Sequence, residues 1–230
     1  MAVVYLIPAL LAEEGLSAIP AYVKDAIGEC RVFFTENERT TRRYFKKLWK
    51  EMVIDAYEWH TIGPDSPRIF REVIAQGKTT GIVSEAGLPG VADPGQSLVA
   101  VAQESGATVR PLAGPGSIML ALMASGMNGQ HFQFVGYLPI DTRERIKAIR
   151  ELETESIRKN STQIFIETPY RNNQLLDTIL RNCRPSTRLC IATGLTGPEE
   201  KVHTKPVEAW LKEIPDLHKK PSIFLLQGQG

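Results

Sequence analysis

A chain of 230 residues, 43% of them hydrophobic, can fold as one large or two modest domains with well-buried cores. Its net charge of +1, with 23% charged residues, excludes a globally basic nucleic-acid binder, so any contact with nucleic acid must come from a local patch. Cys30, Cys183 and Cys190 form no Cys-x-x-Cys pair and lie far apart, which argues against a disulfide framework and a zinc site and fits a reducing cytoplasm.

The apolar opening lacks a basic leading segment, contains Pro8 and is too short to span a bilayer. It reads as a first buried strand over 3–7 and the loop after it, not as a membrane or leader segment. A helix over 18–27 stopped by Gly28, a strand over 32–35, a helix over 39–50 and a weaker strand over 53–57 follow. The spacing then predicts a helix over 66–76 with Gly77 as its stop, and a strand leading into Ser84. Asp93 and Pro94 are placed to cap and open the next helix, which Gly106 ends. A strand over 108–112, an apolar helix over 117–124 stopped by Gly126, and a strand over 132–137 complete the first half. This alternation predicts a doubly wound, mainly parallel sheet over residues 1–137.

Near Leu138 and Pro139 the composition changes, and residues 141–159 form a long charged helix with no Gly or Pro. Strands over 163–167, 188–192 and 222–227, with helices over 172–182 and 207–213, make residues 138–230 a smaller C-terminal α/β domain. There is no internal repeat.

Two turns stand out. SEAGLPGVADPG, from Ser84 to Gly95, and AGPGS, from Ala113 to Ser117, each sit between a strand and a helix, where open α/β sheets bind ligands. Glycine permits close backbone approach and proline stiffens the turn, so such a loop presents amides and carbonyls in a fixed shape suited to a nucleoside or cofactor. A tight strand-to-helix connection explains the same residues. Met119 occupies the third glycine position of a dinucleotide fingerprint, and Glu72 the first glycine of a P-loop, so both of those matches fail.

Taken in order, SEAGLPGVADPG, PLAGPGSIMLALMASGM from Pro111, FVGYLP from Phe134 and FIETPYR from Phe165 resemble the tetrapyrrole (corrin/porphyrin) methylase superfamily. They are most similar to its branch that methylates a cytidine ribose 2′-oxygen in small-subunit (16S) ribosomal RNA. The resemblance implies a two-domain α/β fold, S-adenosylmethionine as cofactor bound between the domains, a cytoplasmic homodimer, and no metal or covalent nucleophile. It also implies cofactor contacts at Pro8, Ser84, Glu85, Ala86, Gly87, Val91, Ser117 and Ile118. Four segments depart from the family pattern. Thr-Pro-Ile-Gly-Asn is replaced by Ile7-Pro8-Ala9-Leu10-Leu11, Glu-Asp-Thr-Arg by Glu36-Asn37-Glu38-Arg39, Ser-Asp-Ala-Gly by Ser84-Glu85-Ala86-Gly87, and Leu-Thr-Lys by Leu195-Thr196-Gly197.

A ribose hydroxyl needs a base, and Glu38, Glu85 and Glu167, with His60 and His203, are conceivable without a ranking. Arg39, Arg42, Arg43 and Lys46 recur at helical spacing, with Lys47 and Lys50 nearby, and could engage RNA phosphates. A solvated helix face has the same appearance. Tyr170 and Arg171 could stack on or clamp an unpaired nucleotide, or pack at a domain interface. A tetrapyrrole C-methyltransferase and a non-catalytic cofactor- or ribosome-binding relative remain the alternatives.

Overall fold

The computed structural model describes residues 2–229. The chain divides into two compact units, Met1–Gly116 and Ser117–Gly230. The first contains β1 (Val3–Ile7), α1 (Tyr22–Glu29), β2 (Val32–Thr35), α2 (Glu38–Leu48), β3 (Glu58–Thr61), α3 (Ser66–Ala75), β4 (Thr80–Val83), α4 (Gln96–Glu104) and β5 (Thr108–Pro111). All of its strand pairings are parallel, in the order β3-β2-β4-β1-β5.

The central strands are apolar on both faces because both are covered. Tyr5, Ile7, Phe33 and Val83 meet Val23 and Ile27 of α1 and Tyr44 and Phe45 of α2. Val4, Val32, Phe34 and Ile82 meet Phe70 and Val73 of α3 and Leu98 and Val101 of α4 on the opposite face. Phe33 is wholly buried, with the rings of Phe45, Tyr57 and Trp59 centred 5.1, 5.4 and 4.8 Å away. Truncating it to alanine would cost about 3–5 kcal/mol.

Three local expectations are corrected. α1 starts after Pro20 and runs through Gly28 to Glu29. Its start follows a separate short 3-10 turn over Gly15–Ala18. Residues 53–57 are not the third strand: Ile54–Ala56 forms a 3-10 turn whose Ile54 carbonyl accepts the Trp59 indole N–H at 3.1 Å. Pairing with β2 then begins at Glu58. Asp93 does not cap α4; its Oδ1 accepts the Gly90 and Gly95 N–H groups at 2.9 and 2.8 Å and closes the turn before the helix.

The second unit contains α5 (Ser117–Ser125), β6 (Phe132–Tyr137), α6 (Thr142–Lys159), β7 (Thr162–Ile166), α7 (Asn172–Asn182), β8 (Arg188–Thr193), β9 (Lys201–Pro206), α8 (Val207–Trp210) and β10 (Ser222–Gln227). Its sheet runs β6-β7-β10-β8-β9, parallel between β6 and β7 and antiparallel elsewhere. Phe165, Leu189, Ile191, Phe224 and Leu226 pack with Ile149 of α6 and Leu175, Leu176 and Ile179 of α7. The units divide at Gly116/Ser117, earlier than the composition change at 137/138, because β6 pairs with β7 and α5 packs on β8, β9 and β10. No helix among the described residues is long and apolar enough to cross a membrane.

Candidate cofactor and substrate site

The strand order of the first sheet locates its ligand crevice. After β1 the chain crosses toward β2 on one side, and after β4 it crosses toward β5 on the other. β1 and β4 are neighbours whose connections leave in opposite directions, which is a topological switch point at the carboxyl ends of the strands. The loop 8–14 follows β1 there and the loop 84–95 follows β4.

The two loops are tied to each other. Ala9 N–H donates to the Gly87 carbonyl at 2.8 Å and Gly87 N–H returns a bond to Ala9 at 3.3 Å. Gly87 has a φ of +76°, a backbone state that costs an L side chain free energy but not glycine. The Ser84 hydroxyl donates to the Gly87 carbonyl at 3.2 Å and the Tyr44 hydroxyl to the Pro8 carbonyl at 2.9 Å. The third loop, after β5, crosses Pro8 at Gly114, where a Cβ would lie 2.2 Å from Pro8 Cβ. The glycines therefore interlock three loops. Pro8, Ser84 and Gly87 are buried in that lock, whereas Glu85, Ala86 and Val91 are exposed.

Carboxyl groups collect at this point. Glu85 N–H donates to Glu36 Oε1 at 2.7 Å. Burial, followed by the neighbouring Asp93 carboxyl and the charge of Glu85, pushes the Glu36 carboxyl up to about 7, against the lowering effect of the Glu85 N–H. Asp93 Oδ2 is buried with no hydrogen-bond partner.

α2 opens on the Asn37 side chain, which accepts the Thr40 N–H at 3.2 Å. Its cations divide into two sets. Arg42 pairs with Glu38 at 2.6 Å and Asp55 at 3.7 Å and lies over the Trp59 ring, 5.1 Å from its centroid. Lys46 Nζ donates to the Lys50 and Met52 carbonyls at 2.5 and 2.9 Å. These two hold the end of α2 and the segment after it. Arg39 and Arg43 are exposed and make no ion pair among the described residues. Lys47 continues their face and meets Glu13 at 2.8 Å. The expected row of four is thus a row at 39, 43 and 47.

In the second unit, Ser117 and Ile118 open α5, both half-buried. Glu167, at the end of β7, is buried; its Oε1 accepts the Thr168 N–H at 2.6 Å and Arg171 Nη2 at 2.7 Å. That carboxylate raises the Arg171 guanidinium further above its ordinary value. Glu167 Oε2 and Arg171 Nε are buried without partners. Tyr170 is 71% exposed, edge-on to His218 with centroids 6.1 Å apart. His60 stacks on Phe34 and bonds Glu58 at 2.8 Å, while His203 sits exposed in β9.

No protein-family profile matches the chain. Among solved structures, the methyltransferase CobJ superposes with a TM-score of 0.63 at 18% identity, covering 99% of this chain and 93% of that one. Uroporphyrin-III-C-methyltransferase from Thermus thermophilus superposes at 0.57 and 15% identity, covering 98% and 94%. These establish the tetrapyrrole-methylase fold. A ribosomal RNA small subunit methyltransferase I from Leptospira borgpetersenii is 31% identical over 212 residues, spanning 90% of this chain and 81% of the relative. The chain belongs to the ribosomal RNA small subunit methyltransferase I family. The Escherichia coli O157:H7 member is 32% identical over 158 residues, 67% of this chain. The chain spans about half the length of that relative and of the Halalkalibacterium halodurans member, 54% and 48% respectively.

As a methyltransferase I family member, the chain shows what its altered segments do locally. In the Glu36-Asn37-Glu38-Arg39 segment, Glu36 holds the loop after β4, Asn37 caps α2 and Glu38 pairs with Arg42. In Leu195-Thr196-Gly197, Thr196 adopts a φ of +66°, donates its N–H to Glu200 at 2.7 Å and buries an unpartnered hydroxyl oxygen. Sequence reasoning missed Glu36 and Asp93 as a joint carboxyl site, because the Glu36 to Glu85 contact joins residues 49 apart.

Proposed function

We propose that this chain is an S-adenosylmethionine-dependent methyltransferase that modifies the ribose 2′-hydroxyl of a cytidine in small-subunit ribosomal RNA. The observation that carries the reading is the interlocked, acidic switch-point site in a chain of the methyltransferase I family. The loop 84–95 contains Glu85 and Asp93 and no lysine or arginine, and Glu36 adds a third carboxyl group. That charge suits a cofactor whose reactive centre is a sulfonium cation, so the donor set fits.

Pro8, Ser84, Glu85, Ala86, Gly87 and Val91 are the residues of the first unit assigned to hold the cofactor through backbone groups and apolar contact. Bound S-adenosylmethionine supplies an electrophilic methyl group. The chain's own work is to fix the acceptor in line, exclude water and take a proton. Glu36 is the base in this reading: its carboxyl, raised to about 7, is half ionised near neutral pH, where a base is most effective. Glu36 would accept the proton of the 2′-hydroxyl as that oxygen took up the methyl group that bound S-adenosylmethionine would supply, the donor leaving as its neutral thioether. Glu38 and Glu167 are less suited, because each is engaged by an arginine. Arg39 and Arg43 meet RNA phosphates, and Tyr170 offers an exposed ring to an unpaired base. A cytoplasmic homodimer is the state that the family reading carries.

Methyl-labelled S-adenosylmethionine incubated with small ribosomal subunits from cells lacking this gene should yield labelled 2′-O-methylcytidine after digestion. Label on a tetrapyrrole and none on RNA would replace this reading with the C-methyltransferase alternative. No transfer to either, with intact cofactor binding, would leave a non-catalytic relative.

A further inference from the structure

Beside the switch point, a cleft of about 180 Å³ opens between the loop after β1, the exposed side of α2 and the start of the loop after β4. Thr40, Arg43 and Lys47 line it from α2, Glu13 from the first loop, and Ser84 and Glu85 from the third wall. Its volume leaves room for a phosphodiester group. The cations that line it are the ones α2 does not consume: Arg42 and Lys46 are tied to Asp55, Trp59 and the Met52 carbonyl, and neither borders the cleft.

One carboxylate faces both cations that line the cleft. Glu13 Oε1 sits 2.8 Å from Lys47 Nζ. The Lys47 hydrogen bond and charge, with the charge of Arg43, hold the Glu13 carboxyl below its ordinary range. Glu13 lies at the exposed end of the loop 8–14 with its side chain 68% accessible, so it can swing away without disturbing the core. Charge-assisted pairs of this kind exchange one oxyanion for another with similar geometry.

We propose that this cleft is a phosphate subsite for the RNA strand, in which Glu13 occupies Lys47 in place of a phosphodiester and is displaced when RNA binds. The inference rests on the RNA reading given above. The subsite shares Ser84 and Glu85 with the cofactor loop, so a phosphate on Arg43 and Lys47 fixes the strand next to that loop. Glu13 then lowers affinity for every RNA, by making each strand compete with an internal anion, while leaving the cation in place.

Anisotropy titrations of a small-subunit ribosomal RNA fragment, across a salt series, test this with Glu13→Gln, Lys47→Gln and the Arg43→Gln/Lys47→Gln pair, each checked for an unchanged melting temperature. Glu13→Gln should tighten binding about three- to tenfold, and Lys47→Gln should weaken it and reduce the salt slope by about 0.7. In the Arg43→Gln/Lys47→Gln background, Glu13→Gln should change nothing. The subsite is overturned if Glu13→Gln leaves wild-type affinity unchanged or weakens it, or if its gain persists without the two cations, since that gain would then be a general charge effect. Methyl transfer by the wild-type chain is read in parallel. Transfer to RNA with no Glu13 effect removes the subsite alone, and a Glu13 effect without transfer removes the methyltransferase reading alone.

Discussion

Two strand ends carry the family's motifs, and they handle a carboxylate in opposite ways. At the end of β7, Glu167 is buried and spent on Arg171 and on the Thr168 N–H. Beside the end of β4, Glu36, Glu85 and Asp93 lie together with only backbone N–H groups as donors, and the Glu36 carboxyl rises to about 7. A carboxylate with an arginine beside it is a structural anion. One without a cation, crowded by others, keeps a proton until neutral pH and can exchange it.

The largest expected effect breaks or confirms this contrast directly. Glu36→Gln keeps an oxygen for the Glu85 N–H but cannot take a proton, so the methyl-transfer rate should fall about 100-fold with the fold intact. A fall below about threefold in single-turnover assays would remove Glu36 as the base. Next, Gly114→Ala drives a methyl group into the rigid Pro8 ring and should cost about 3 kcal/mol in denaturant unfolding. Gly129→Ala, where nothing lies within 4 Å, should stay within about 0.5 kcal/mol.

Glu167→Ala should cost about 2 kcal/mol, because it strips Arg171 of its partner at a buried site, less than a fully buried pair since Arg171 is about one-third exposed. Glu85→Ala, on the exposed part of the acidic loop, should stay within about 0.5 kcal/mol by the same measurement. Equal costs would erase the distinction between the two strand ends. The smallest effect is on pH. With a raised folded-state value, Glu36 contributes stability that is present below the ordinary glutamate range and lost as pH rises through about 7. Melting temperatures between pH 5 and 8 should therefore decline slightly more in the wild type than in Glu36→Gln, by a few degrees at most. An identical decline in both would show that Glu36 titrates normally.

The sequence made most elements legible where glycine and proline punctuate apolar runs. β1, β2 and α7 take the expected bounds, and Gly77, Gly106 and Gly126 end helices with positive φ. β9 was not expected because Lys201–Pro206 reads as a polar run; it is an edge strand paired only with β8. The sheet to which β6 belongs was also hidden, since an apolar run specifies a strand and not its partner. The site was legible as a place, because loops at the carboxyl ends of parallel strands are set by chain order. Its chemistry was not: Asp55, Trp59 and Met52, none of them on α2, join Glu38 in deciding which α2 cations are consumed.

Calorimetric titration of S-adenosylmethionine into the wild-type chain and Glu85→Ala tests the central claim most directly. One site per chain is expected, bound at least several-fold more weakly by Glu85→Ala. Absence of binding to the wild type, or equal affinity in the two proteins, would contradict the assignment of the acidic switch-point loop as the cofactor site.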